Sequence, residues 1–427
     1  MSYLNQRLYF FATLTFGGLL FCFSVSSART WDIFSDGSGD ATTIQNGIDS
    51  ALVGDTVLVE SGVFHERLTF RGRDIVVASV FGSDQTILDG TNLGGAVVTF
   101  VSGESRSSVL QGFTLTGGQN GIIITNSEPS IINNIIVNND SPLDGGGIVC
   151  GGNIQAQPQW SPKIVSNHIV DNHANNSGGG VIFYCDMIPE LVDNYIANNS
   201  TSNGDGGGVY YVNFPFGGTP LFYGNIIQDN TAGDHGGGIY AGNIGNGGSI
   251  ELEISHNLIW RNRALGKSSS ITPNSGGGIW LWETKAWIHH NTVVENMGDG
   301  PTEAYGGGIV IDQPGSPTVE QNIIAFTTKG GGIWCGNGAT PIIRNNLAWQ
   351  NSGGDGVNDC PLWWQTNGNV VGNPYFCSMA GGDFTVASNS AVMTHPSGPL
   401  GAYPLPGCGP VSVQLTTWGL LKLRYSH

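Results

Sequence analysis

Gly306-Gly-Gly-Ile-Val-Ile311, followed by Thr318-Val-Glu320 and Asn322-Ile-Ile-Ala325, is one complete unit of the architecture. Its apolar runs are too short for helices and are set apart by Gly, Pro and Asn, so they read as strands. The pattern recurs along the chain. Gly-Gly-Gly followed by Ile or Val begins at Gly145, Gly178, Gly206, Gly236, Gly276, Gly306 and Gly330. An Asn, two largely apolar residues and a second Asn five positions on occur at Asn134/Asn139, Asn167/Asn172, Asn194/Asn199, Asn225/Asn230, Asn257/Asn262 and Asn291/Asn296. Decayed copies follow at Asn322/Thr327 and Asn346/Asn351, so the period is 24 to 40 residues, mostly close to 31. Three strands per unit that cannot bury themselves alone describe an all-β parallel solenoid, with coils ~4.8 Å apart.

Each column of the repeat has a physical reading. Asn tolerates the left-handed backbone expected at a one-residue bend, and its amide bonds to equivalent amides in neighbouring coils. Asn134, Asn167, Asn194, Asn225, Asn257, Asn291, Asn322 and Asn346 are therefore structural. Three residues before them stand Ile131, Ile164, Leu191, Phe222, Ile254, Ile288, Val319 and Ile343; two after stand Ile136, Ile169, Ile196, Ile227, Ile259, Val293, Ile324 and Ala348. These two columns are the expected core. Thr43 to Leu52 has apolar residues at helical spacing and reads as a short helix covering the open first coil.

The composition narrows the class. Among 427 residues there are 67 Gly and only 11% charged residues, yet 39% are hydrophobic and no Gly-X-Y period is present, so the chain is neither collagen nor disordered. Thirty-two acidic against 15 basic residues give a net charge of -17, which makes nucleic acid and anionic membrane poor partners. Arg7, an apolar run from Leu8 to Val25 and Ser26-Ser27-Ala28 read as a signal peptide. Its removal takes one basic residue, leaving 14 basic and 32 acidic, a charge of -18, and no transmembrane span. The expected organisation is 1–28 signal peptide, 29–125 N-terminal cap and irregular first coils, 126–376 regular repeats, and 377–427 a last coil with an irregular cap and tail. Six cysteines then remain, Cys150, Cys185, Cys335, Cys360, Cys377 and Cys408, and in an exported chain they suggest disulfides between sequence neighbours.

The opening motifs Asp36-Gly-Ser-Gly-Asp40, Thr43-Ile-Gln-Asn-Gly-Ile-Asp49, Gly54-Asp-Thr-Val-Leu-Val59, Gly62-Val-Phe-His-Glu66 and Thr86-Ile-Leu-Asp-Gly90 resemble those of secreted bacterial right-handed parallel β-helix proteins of the pectin-lyase-like superfold. The resemblance spans roughly residues 31 to 408 and implies a right-handed helix of strands. The catalytic signatures of pectin methylesterases, polygalacturonases and the main pectate lyases are missing, so it hands over no enzyme residue by residue.

Chemistry is sought on the Gly-Gly-Gly strand, which in this superfold generally floors the substrate groove. Alternation turns Ile148, Val181, Val209, Ile239, Ile279, Ile309 and Ile333 inward and Val149, Ile182, Tyr210, Tyr240, Trp280, Val310 and Trp334 outward, with Tyr184 and Trp282 two residues on. Tyr210, Tyr240, Trp280, Trp282 and Trp334 are thus candidates for stacking on sugar rings, the alternative being burial beneath loops. Asp144, Asp205, Asp234 and His235 precede the glycines. Paired carboxylates there would suit a glycosidase, although Asp before Gly is also an ordinary turn former. Asp229, Arg261 and Glu295 share a column four residues after the first Asn. They would serve a polysaccharide lyase, with calcium, or form a cross-coil salt bridge. His256 and His290 share the column before the Asn and read as a polar edge. The expectation is a monomeric, exported protein binding polysaccharide or a cell-surface glycan and requiring no cofactor; the alternative is a lyase, before a hydrolase.

Overall fold

The computed structural model describes residues 27–152, 160–185, 187–213, 218–243, 251–267, 275–299, 306–336, 338–358, 360, 367–403 and 407–408. The leader read at 1–28 lies almost wholly outside these residues, and the tail 411–427 lies outside entirely.

One coil shows the construction. Leu221–Tyr223 joins sheet A, Ile226–Gln228 sheet B, Thr231–Ala232 a narrow sheet D, and Ile239–Asn243 sheet C. Each strand pairs in parallel with its equivalent one coil on, as Phe222 with Ile254, Ile227 with Ile259 and Tyr240 with Trp280. Among the described residues, sheets A and B have twelve strands, sheet C eleven and sheet D six. The sequence suggested three strands per coil. The fourth, two residues long, forms where the second Asn column ties neighbouring coils together.

Both expected core columns lie inside, with every member at most 1% exposed. So do Ile148, Val181, Val209, Ile239, Ile279, Ile309 and Ile333, all within one cluster running the length of the solenoid. The Asn columns form continuous ladders. Asn225 Oδ1 accepts from the backbone N (2.9 Å) and Nδ2 (3.0 Å) of Asn194, while its Nδ2 donates to Asn257 Oδ1 (2.9 Å) and Leu191 O (2.8 Å). The same bonds run from Asn134 to Asn369, and a parallel set runs from Asn139 to Asn296.

The bend is not made by the ladder Asn. Left-handed backbone belongs to the residue before it: Asn133, Ser166, Asp193, His256, His290, Gln321 and Asn345, with φ from 53° to 58°, and Gly224 in the same place. A second left-handed row, Asn138, Asp171, Asn198, Asp229, Arg261 and Glu295, precedes the second ladder. The left-handed residue turns the chain, and the next side chain then points inward, where an amide satisfies the coils on both sides.

The Gly-Gly-Gly triplets combine separate needs. Gly236 has φ +66°; a Cβ on Gly237 would stand 2.5 Å from the Arg263 backbone; one on Gly238 would stand 2.7 Å from Gly278 O. The turn into sheet C is therefore pressed directly against the next coil.

A helix, Ile44–Ser50, packs on the first coils. Thr43 Oγ1 accepts from Asn46 N, and Glu66 accepts from Ile44 N and Gln45 N, satisfying three of the N–H donors that the helix's first turn leaves unpaired. At the other end the chain runs back along the outside of sheet B. Phe384, Val386, Val392 and Leu400 cover Leu258, Val294, Ile323 and Leu347, and Gly401 N donates to Gln321 O. Disulfides join Cys335 to Cys360 and Cys377 to Cys408, both between sequence neighbours. The third expected pair is not formed: Cys150 is a thiol in the inward row of sheet C, and burial pushes its pKa up. Among the described residues no helix is long and apolar enough to cross a membrane.

Candidate functional site

The outer face of sheet C carries the aromatic row. Tyr210, Tyr240, Trp280, Val310 and Trp334 are register neighbours on successive coils, as are Tyr184, Val212, Gly242, Trp282 and Asp312. The row divides by burial. Trp280 and Trp334 are only 1% and 6% exposed and close with Val310 into a small apolar cluster, against which Tyr240 and Trp282 pack. Facing away from the solenoid core therefore does not bring a ring to solvent here. Tyr184 is 37% exposed, and Tyr210, Tyr240 and Trp282 are half-buried.

Glycines set the attitude of these rings. A Cβ on Gly151 would lie 2.5 Å from the Tyr184 ring, one on Gly242 3.2 Å from Tyr240, and one on Gly336 2.8 Å from Trp334. The rings thus lean over strand positions that have no side chain. Sequence reasoning missed this, although the signal is written as Tyr240-Ala-Gly242 and Trp334-Cys-Gly336. Tyr210 and Tyr240 stack at 4.9 Å with 8° between planes. Burial, and then the Asp205 charge, push both phenol pKa values up, so the hydroxyls stay protonated at neutral pH.

At the turn entering sheet C, the predicted acids have structural partners. Asp144 Oδ1 accepts from Ser177 N (3.0 Å), Ser177 Oγ from Asp205 N (3.2 Å), and Asp205 Oδ1 from His235 N (2.9 Å). These are coil-to-coil ties. Asp234 and His235 do more than repeat them. His235 Nδ1 lies 2.9 Å from Asp205 Oδ1 and 3.5 Å from Asp234 Oδ2, and one ligand atom from each of the three residues falls within 4.8 Å of the others. Burial works against charge on His235, yet the Asp205 hydrogen bond and the charges of Asp205, Asp234 and Asp312 hold its pKa above the ordinary value. Its ring centroid is 4.2 Å from that of Trp280. His235 Nε2 and Trp280 Nε1 are buried and have no hydrogen-bond partner among the described residues.

Asp229, Arg261 and Glu295 occupy the left-handed row between sheets B and D. Arg261 pairs with Asp229 at 2.8 Å and lies 4.0 Å over the Trp260 ring, whose Nε1 donates to Glu295 Oε2 (2.8 Å). Two members of the predicted stack meet directly; the third is joined through Trp260. His256 and His290 stack at 4.9 Å, and His289 from the adjoining strand adds Nδ1 at 2.9 Å from His290 Nδ1 and Nε2 at 3.2 Å from Glu253 Oε1. Burial and mutual repulsion hold His290 down to about 4.

The description "right handed beta helix region" matches this chain over residues 244–392. The chain folds as a right-handed parallel β-helix. No curated protein matches it. Among solved structures, pectin methylesterase from carrot aligns over 82% of this β-helix and 91% of its own chain, at 11% identity and a TM-score of 0.36. A likeness that loose bears on neither substrate nor mechanism.

Proposed function

We propose that this β-helix is an exported protein that binds polysaccharide along the outer face of sheet C. The observation that carries the reading is the set of aromatic rings leaning over glycines beside a row of carboxylates. Ring faces stack on the apolar faces of sugars, and carboxylates accept from sugar hydroxyls. Tyr184, Tyr210, Tyr240 and Trp282 are the contact residues on this reading; Trp280 and Trp334 support them from beneath. Export is supported by the N-terminal apolar run and the two disulfides.

The test is retention of the purified mature chain on a panel of immobilised polysaccharides. Tyr184→Ala should weaken retention by roughly two- to tenfold, the worth of one stacked ring. Retention unchanged in Tyr184→Ala and in Trp282→Ala would reject the face.

A catalytic version of the same face is favoured by one observation, the convergence of Asp205, Asp234 and His235 from neighbouring coils. It is distinguished by products: new reducing ends without unsaturation, lost in Asp234→Asn, would mark a hydrolase. Unsaturated products, lost in Arg261→Ala, would mark a lyase acting instead at the Asp229–Arg261 pair.

A further inference from the structure

We infer that Asp205, Asp234 and His235 form a binding site for a divalent transition-metal ion of the Mn²⁺, Co²⁺ or Zn²⁺ type. Two coils supply it. Asp205 comes from one turn, and Asp234 with His235 from the equivalent turn of the next, so the 2.9 Å tie between His235 N and Asp205 Oδ1 fixes their relative position. Ligand atoms bonded to a common ion at ~2.0–2.2 Å stand roughly 2.9–3.5 Å apart at right-angled to tetrahedral geometry. His235 Nδ1 meets Asp205 at 2.9 Å and Asp234 at 3.5 Å.

The donor set selects the class of ion. One imidazole nitrogen with two carboxylates suits borderline ions, whereas calcium and magnesium favour oxygen alone. The surroundings suit a positive guest: Asp312 adds to the negative field at His235, and Trp280 holds the imidazole on one side. Three protein ligands leave positions open for water or hydroxyl oxygens. The unpartnered Trp280 Nε1, on the ring against His235, is a donor for such an oxygen. The histidine group at His256, His289 and His290 is the rival. His289 and His290 meet there at 2.9 Å, but only the Asp205 group brings three ligand atoms within mutual reach among the described residues.

The inference concerns the same face as the glycan reading but does not rest on it, since metal binding is measured without sugar. Co²⁺ titrated into the full mature chain should saturate at one equivalent with visible d–d absorption. Affinity should fall at least tenfold in Asp234→Asn and in His235→Gln, and stay unchanged in Asp144→Asn. Circular dichroism establishes that each variant is folded. On the unsubstituted chain, Zn²⁺ should slow hydrogen exchange in peptides covering 231–236. Absence of saturable binding, equal affinity in Asp234→Asn and His235→Gln, or protection confined to 251–256 and 285–290 would overturn the site.

Discussion

Replacing Asn225 by Leu tests the ladder at its centre. The Asn225 amide accepts from Asn194 N and Nδ2 and donates to Asn257 Oδ1 and Leu191 O, and the residue is fully buried. Leu matches it roughly in size but carries no polar atom. Asn257 Oδ1 keeps a donor, the backbone N–H of residue 225 at 2.8 Å. The Asn194 N–H loses its acceptor and the Leu191 carbonyl loses a donor, and each such loss costs about 1–3 kcal/mol in a buried site. The buried Leu side chain offsets part of this, leaving a net loss of ~1–3 kcal/mol. Solenoids open by groups of coils, so the readout must be local. Hydrogen exchange of peptides spanning Asn194 should accelerate by roughly 5- to 150-fold, the equivalent of that free energy. Asn369→Leu is the internal control. It removes the acceptor for Asn346 N and Nδ2 at the half-buried end of the ladder, where water replaces it, so the effect there should be smaller. Equal exchange in Asn225→Leu and the parent chain would refute the ladder as a source of stability.

Three further outcomes follow from packing and charge. Gly237→Ala drives a Cβ to 2.5 Å from the Arg263 backbone and should cost about 3 kcal/mol or more in denaturant titration, whereas Gly372→Ala meets nothing within 4 Å and should be nearly neutral. Burial holds His168 down to about 4, against a pull upward from Asp84. The unfolded chain takes up this proton near pH 6.5 and the folded one only near 4, so stability should fall by up to ~3 kcal/mol as pH drops through that window; His168→Gln should flatten the slope of melting temperature against pH. Reducing both disulfides with dithiothreitol should lower the denaturant midpoint, the Cys335–Cys360 bond alone, which spans 25 residues, being worth ~3–4 kcal/mol by loop-closure entropy.

What the sequence made legible was whatever repeats in register. Ile131 to Ile343 and Ile136 to Ala348 were recognisable as core because parallel stacking puts equivalent residues in contact, and the Asn rows because only one side chain satisfies both neighbouring coils. The bend residue escaped notice because a left-handed position on the outside tolerates Asn, Ser, Asp, His and Gln alike, so no single letter marks it. Burial of Trp280 was one of the two readings that the sequence left open. Alternation tells which side of sheet C a ring leaves from, not what rises around it on neighbouring turns. The C-terminal run over sheet B has no repeat at all. Its contacts, Phe384 with Trp260 and Gly401 with Gln321, join residues whose pairing no periodicity predicts.

The ladders also fix how such a chain changes in length. Asn194 and Asn225 occupy equivalent places joined by identical bonds, and the residues from Asn194 up to Gly224 form a closed unit between them. Excising those residues would bring Asn225 to where Asn194 stood, beneath Asn167, with both rows unbroken. The molecule therefore shortens or lengthens in steps of ~4.8 Å, one strand spacing at a time. On the proposed polysaccharide-binding role, the face of sheet C would be a ruler graduated in that unit, and the polymer length it accepts would be set by counting coils.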